Sequence, residues 1–278
     1  MKEFKLTPLS DLMGAEISGI DLRHKIDKIT RDKLLNAVKK YLVVCIKNQN
    51  LNPSELANVS RIFGNPKKYF VQHETVDNIP EVIVVSNRNS DNKPRVYASH
   101  WHTDDSYREK PATLTFIYPD TLPKNGGGTD FINCYSVFQN LPENLKNKIS
   151  NLSAIHKWQS RRNVSKVAKL SKEQEEETPE VEHPLIRTHP VSGEKSLYIN
   201  PNRIDHIAGF DHLESDKLLD ELYEFSFQSK FQYSHSYQEG DLVIWDNRCT
   251  MHKANSDYDL NQLRVMHRVM LEGEKVYS

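Results

Sequence analysis

His102 and Asp104 stand two residues apart in Trp101-His102-Thr103-Asp104, an imidazole and a carboxylate that extended backbone turns to one side, where both can reach a single ion. With twelve His in the chain, a His-x-Asp pair arises about once by chance, so the pair alone says little. A third group lies far downstream. The run Gly240 to Arg248 (GDLVIWDNR) reads as an apolar strand ending in an Asp-Asn turn, which would deliver His252 from a fixed place on a sheet. Two imidazoles and one carboxylate form a facial triad with open coordination positions, the arrangement suited to non-haem Fe(II) oxygenases. Closed structural zinc would want a fourth ligand, and none is well placed; a catalytic zinc fits the same ligand types.

Arg264 to Leu271 (RVMHRVML) bears on that choice. Alternation sets Arg264, Met266, Arg268 and Met270 on one face and Val265, His267, Val269 and Leu271 on the other. Guanidinium groups that share a face with methionines cannot be buried without anions, so this face is expected to line a cavity that receives a carboxylate or a similar group. The competing account is a pair of ordinary bridges to acidic residues on a neighbouring strand. Cys45, Cys134 and Cys249 are odd in number and far apart, which leaves buried thiols rather than a disulfide framework or a paired-cysteine zinc site.

The elements that must hold these groups are mostly strands. Runs rich in Val, Ile, Thr and Tyr recur at Val82 to Val85, Thr113 to Tyr118, Thr129 to Ile132, Ser196 to Ile199, Asp241 to Trp245 and Leu263 to Leu271. Before them come a strand near Phe4 to Leu6, a helix after Thr30, a strand from Leu42 to Ile46, and a helix from Pro53 that Gly64 should end as a left-handed cap. Two further helices interrupt the strands, one capped by Ser136 and one over Ser215 to Phe225. The pattern is mainly β with flanking helices, a sandwich or barrel rather than a doubly wound sheet. The 278 residues read as one domain, 1–278, with a charged segment at about 160–183, centred on Glu173 to Glu177, expected to be a mobile lid.

Lys+Arg 37 against Asp+Glu 38 gives a net charge of -1, which provides no field to attract nucleic acid or an anionic membrane. No secretory apolar core and no long apolar run is present, so a cytoplasmic protein is expected.

WHTD at Trp101 to Asp104, NGGGTD at Asn125 to Asp130, RTHPVSGEKSLYIN at Arg187 to Asn200, WDNRCTMH at Trp245 to His252 and RVMHR at Arg264 to Arg268 together give the chain its resemblance to a known group. It resembles the taurine / 2,4-dichlorophenoxyacetate dioxygenase family of Fe(II)- and 2-oxoglutarate-dependent oxygenases. The likeness implies a double-stranded β-helix (jelly-roll, cupin-like) core with His102, Asp104 and His252 on iron as the catalytic centre. It also implies that Arg264 holds the far carboxylate of 2-oxoglutarate with help from the Thr129 hydroxyl, and that Arg268 faces the anionic group of the primary substrate. The implied cofactors are Fe(II), 2-oxoglutarate as cosubstrate and O2. The implied reaction oxidises a C–H, usually to an alcohol, and yields succinate and CO2; Asp104 stands where a halogenase would have a small residue.

The chain departs from the taurine enzymes where substrate is chosen. Tyr69, Phe70 and Gln72 stand where those enzymes present a His and a Tyr, so taurine itself is not the expected substrate. Tyr198 resembles the aryloxyalkanoate branch, and its phenol could hydrogen-bond an acid; His100 and Tyr107 flank the His-x-Asp pair and are expected to line the pocket. Arg161 and Arg162 are expected to pair on the surface with the Glu173 to Glu177 cluster, and His189 to hold a turn. A small sulfonate, carboxylate or phosphonate is the expected partner, and the family often forms dimers or tetramers. Two other functions use the same residues: a zinc-dependent hydrolase, and a jelly-roll sensor that binds 2-oxoglutarate without turnover.

Overall fold

The structure is a computed structural model and describes residues 4–69, 75–88, 93–163 and 170–278. Its largest sheet has eight strands in the order β1 (Lys5–Pro8), β2 (Ala15–Ser18), β3 (Val43–Ile46), β14 (Leu242–Asp246), β6 (Leu114–Thr121), β16 (Val265–Met270), β5 (Ile79–Ser86) and β4 (Thr75–Val76). Neighbours are antiparallel except β2 and β3. Another sheet has three strands, β13 (Gln232–His235), β7 (Thr129–Asn133) and β15 (Thr250–Ala254). These two sheets make the jelly-roll core. A three-stranded sheet of β12 (Ile204–Ile207), β8 (Ser153–His156) and β9 (Val181–Pro184), and the hairpin of β10 (Ile186–Thr188) with β11 (Lys195–Leu197), complete the β-structure.

Period-two alternation sorts the side chains into layers. Val44 and Ile46 of β3 and Leu242 and Ile244 of β14 join a cluster with Leu34, Val38, Leu56 and Val59 of α1 (Lys28–Tyr41) and α2 (Pro53–Ser60). Their alternates, Val43, Cys45, Val243 and Trp245, point the other way and pack with Phe131 of β7 and Met266 of β16 between the two sheets. Beyond the smaller sheet, Ile132 and Met251 pack with Val137, Leu145 and Leu218, on α3 (Cys134–Asn140), α4 (Glu143–Ile149) and α6 (His212–Ser226). Each side chain buried as fully as Phe116 or Phe131 contributes about 1.5–3 kcal/mol, so this sorting also fixes which face of every strand looks into the space between the sheets.

Two helix ends differ from the sequence expectation. α2 stops at Ser60, and Gly64 is not in the left-handed region; a Cβ there would meet Leu271 Cδ1 at 3.0 Å, so Gly64 serves a close packing contact. The cap of α3 is Asn133, whose side chain accepts the Ser136 N–H, so Ser136 is donor rather than cap. Part of the charged segment forms α5 (Lys172–Glu176), opened by a Ser171–Gln174 capping box; residues 164–169 lie outside the described residues. Among the described residues no helix is long and apolar enough to cross a membrane.

Candidate active site

β15 places His252 on its inward face, with Met251 turned to the outer cluster. Its ring packs against Trp245 of β14 and Phe131 of β7, at centroid separations of 4.6 and 6.2 Å. His102 pairs with it by backbone: the His102 N–H donates to the His252 carbonyl at 3.0 Å and the His252 N–H returns the bond at 2.8 Å. Just after Asp104 the chain turns sharply through Asp105, at φ 58, a conformation that Asp tolerates better than most residues. The Asp105 carboxylate is paired with Lys67 and accepts from the Tyr107 hydroxyl, which pins the turn.

The ligand-type atoms of His102, Asp104 and His252 all lie within 4.8 Å of one another. His102 Nε2 is 3.9 Å from Asp104 Oδ1, and His252 Nε2 is 3.8 Å from Asp104 Oδ2. His102 Nδ1 lies 2.8 Å from the His100 carbonyl, which can only accept, so Nδ1 carries the proton and Nε2 presents its lone pair. Burial lowers the pKa of both imidazoles, His252 well below its usual value, and keeps them neutral as ligands must be. Burial opposes ionisation of Asp104 as well, but the Arg268 guanidinium and the hydrogen bond from the Thr115 hydroxyl favour the carboxylate, and its pKa lies below the ordinary range. Two neutral imidazole nitrogens and a carboxylate oxygen, converging on one point, fit a divalent transition metal such as Fe(II).

Asp104 is oriented by a hydrogen-bond chain that sequence reading missed. The Trp245 indole N–H donates to Asn247 Oδ1 at 2.9 Å, Asn247 Nδ2 donates to Thr115 Oγ1 at 2.8 Å, and Thr115 Oγ1 donates to Asp104 Oδ2 at 2.7 Å. A buried Asn within the Trp-Asp-Asn run was the available signal; nothing local marked Thr115.

Just before β16, Arg264 is 7 % exposed and its Nε donates to the Gly127 carbonyl at 2.8 Å. Among the described residues no carboxylate pairs with its guanidinium. Thr129 Oγ1 lies 2.9 Å from the Tyr237 hydroxyl, and Arg264 sits over that ring at 5.9 Å, so Thr129, Tyr237 and Arg264 form one group. Tyr237 was not anticipated. Arg268, on the same strand face, brings Nη1 to 3.5 Å from Asp104 Oδ1.

The residues expected near substrate divide. Tyr107 is buried, its ring edge-on to Trp158 at 4.8 Å and facing the Arg203 guanidinium at 5.1 Å. Tyr69 is buried with Ile83, Ala112 and Met270. His100 is exposed, and its contribution to the triad is the carbonyl that holds His102. Tyr198 is 3 % exposed and packs among His156, His183 and Arg187, with its hydroxyl shielded from solvent, a packing position rather than a lining one. Gln72 lies outside the described residues.

Arg161 and Arg162 correct an expectation: they pair with Asp216 and Asp220 of α6, not with the Glu173 to Glu177 cluster. His189 does hold a turn, Nδ1 accepting from Val191 and Ser192 while Nε2 donates to Asp246 at 3.1 Å. With both ring nitrogens engaged, and with Arg248 on the same carboxylate, the His189, Asp246 and Cys249 group has no metal-binding capacity to spare.

Residues 5–270 match the family model described as taurine catabolism dioxygenase TauD, TfdA family. The chain is 31% identical, over 98% of its length and 86% of the relative's, to the alkylsulfatase of Acinetobacter baylyi. It is 29% identical, over 96% of its length and 94% of the relative's, to the alpha-ketoglutarate-dependent 2,4-dichlorophenoxyacetate dioxygenase of Burkholderia sp. strain RASC. Among solved structures it superposes with a TM-score of 0.85 on AAD-2 in complex with Mn(II) and N-oxalylglycine, at 26% identity and covering all of both chains.

Proposed function

The chain belongs to the TauD, TfdA family of alpha-ketoglutarate-dependent dioxygenases, and from that premise we propose that it hydroxylates a C–H of a small organic anion, with His102, Asp104 and His252 as its iron ligands. Fe(II), 2-oxoglutarate and O2 supply the oxidising chemistry, in which 2-oxoglutarate leaves as succinate and CO2. The protein's task is to hold and orient. Arg264 and Thr129, steadied by Tyr237, bind the far carboxylate of 2-oxoglutarate. Four residues along the strand, about 13 Å in extended backbone, Arg268 brings positive charge beside Asp104 and faces the anionic group of the substrate.

The observation that carries this reading is Arg264, a buried guanidinium with no acidic partner among the described residues, on the same strand face as the cation beside the triad. A buried unpaired cation is costly, so the site suits a resident anion. A zinc hydrolase has no use for such a group. The substrate class follows from charge together with the relatives' names, which point to alkyl sulfates and phenoxyacetates, each an anionic head on an apolar body.

An anaerobic absorbance titration with Fe(II) and 2-oxoglutarate tests the proposal. A visible charge-transfer band that requires both additions is expected, and succinate should form when O2 is admitted with an accepted anion. Tight zinc binding with no such band would overturn it.

A further inference from the structure

Arg203 is a cation at this site to which neither the triad nor the 2-oxoglutarate group gives a task. It follows the turn at Asn200, and that turn is fastened to the loop carrying Asp104: Asn200 Nδ2 donates to the Thr103 carbonyl and to Ser106 Oγ, both at 2.8 Å, while the Arg203 N–H donates back to the Asn200 carbonyl at 3.0 Å. Asn200 is fully buried, so the position of Arg203 relative to His102 and Asp104 is set by rigid packing.

The guanidinium is held in one orientation. Nη1 donates to the Trp158 carbonyl, and the group lies over the Trp158 ring at 4.4 Å and the Tyr107 ring at 5.1 Å, two rings that meet nearly perpendicular at 79°. Nε and Nη2 have no hydrogen-bond acceptor among the described residues, and no carboxylate lies within ion-pair distance. The neighbouring cations are engaged: Lys67 with Asp105, Lys157 with Glu180, Arg187 with Glu274, and Arg268 beside Asp104. Burial lowers the Arg203 pKa, while Tyr107, Tyr69, Asp105 and Asp104 act to raise it, and the charge of Arg203 is felt in turn at His102. The Asn200 bonds to Thr103 and Ser106, and the Tyr107 ring beneath the guanidinium, set Arg203 against the loop that carries His102 and Asp104. An Arg side left with Nε–H and Nη2–H in parallel matches two oxygens of a carboxylate, sulfonate or sulfate.

We propose that Arg203, alongside Arg268, receives the anionic head of the primary substrate and is a specificity-determining residue of this enzyme, with Tyr107 and Trp158 holding its guanidinium ready for the anion. This rests on the dioxygenase site proposed above. Ring stacking and a fixed carbonyl remove much of the side-chain entropy that an Arg otherwise loses on binding, so the recognition edge is preorganised.

The test uses the full chain loaded anaerobically with Fe(II) and 2-oxoglutarate, with n-hexyl sulfate and phenoxyacetate as anionic probes and 1-hexanol as the neutral control. Binding is read by the change in the visible band and by tryptophan fluorescence. Wild type is expected to bind at least one anion more tightly than hexanol, and Arg203→Gln to weaken that anion roughly 10- to 100-fold. Arg203→Lys should recover part of the loss, separating charge from packing, and hexanol should respond equally in all three proteins. An Arg203→Gln protein that binds the anions as tightly as wild type, or a wild type that binds neither, overturns the proposal. Failure of the visible band to form in wild type would instead sink the underlying dioxygenase assignment, so the two failures are distinguishable.

Discussion

The main chains of His102 and His252 are bonded to each other in both directions, at 3.0 and 2.8 Å, and their rings lie 4.1 Å apart. Two parts of the chain remote in sequence are thus joined by backbone. Two imidazoles this close repel each other when protonated, and burial makes protonation costlier still, so the pair persists as neutral rings with nitrogens turned toward Asp104. Preformed geometry of this kind limits the reorganisation needed when a metal enters.

Replacing Thr115 by Val keeps the shape and removes one hydroxyl from the chain Trp245–Asn247–Thr115–Asp104. Asn247 Nδ2 loses its acceptor and Asp104 Oδ2 a donor. Thr115→Val is expected to weaken divalent metal binding about 10- to 100-fold, the usual cost of losing a group that orients a ligand, as read by Mn(II) titration. Unchanged affinity would mean that Arg268 and the imidazoles suffice to orient the carboxylate.

Gly127 has φ +69, and a Cβ there would meet Arg264 Cδ at 3.2 Å and Nε at 3.3 Å. Gly127→Ala is therefore expected to strain the backbone and to displace the Arg264 guanidinium, raising the Kd for 2-oxoglutarate. Arg264→Ala should cost roughly 2 to 5 kcal/mol of that binding. Calorimetry with the metal-loaded protein under anaerobic conditions measures both, and an Arg264→Ala protein with wild-type affinity would remove this residue from the cosubstrate site.

Tyr198 separates packing from recognition. Its hydroxyl is shielded from solvent and its ring sits among His156, His183 and Arg187. Tyr198→Phe should leave the KM for an accepted anion within about twofold and change stability by no more than about 1 kcal/mol. A tenfold rise in KM would return the phenol to the pocket.

What the sequence disclosed, and what it withheld, follows from range. The alternation of RVMHRVML is a local signal, and it set Met266 on one face and Val269 and Leu271 on the other, as the packed clusters have it. The partners of Arg161 and Arg162 were not legible, because Asp216 and Asp220 are 55 and 58 residues away and an acidic run stood nearer in the chain. Tyr237 and Arg203 carry no motif of their own; they become functional candidates only when the fold sets one beside Thr129 and Arg264 and the other beside Tyr107. Strands such as β12, whose Asp205 and His206 break any apolar run, gave no periodic signal to read.

His235 gives a dependence of stability on pH that is separate from catalysis. It is buried beside Asp241 and Lys47, and burial, only partly offset by Asp241, pushes its pKa down to about 4 from 6.5. The unfolded chain takes up a proton below about pH 6.5 that the folded one refuses until about pH 4, so the contribution is fully present above pH 6.5 and is lost as pH falls through that window. The loss at pH 4 is on the order of 3 kcal/mol. Urea unfolding from pH 7.5 to 4 should therefore show a shallower fall in stability for His235→Asn than for wild type, whatever the variant's stability at pH 7.5. Parallel curves would mean that His235 titrates in the folded protein as it does in the unfolded chain, with the slope arising from other buried imidazoles such as His156 and His183.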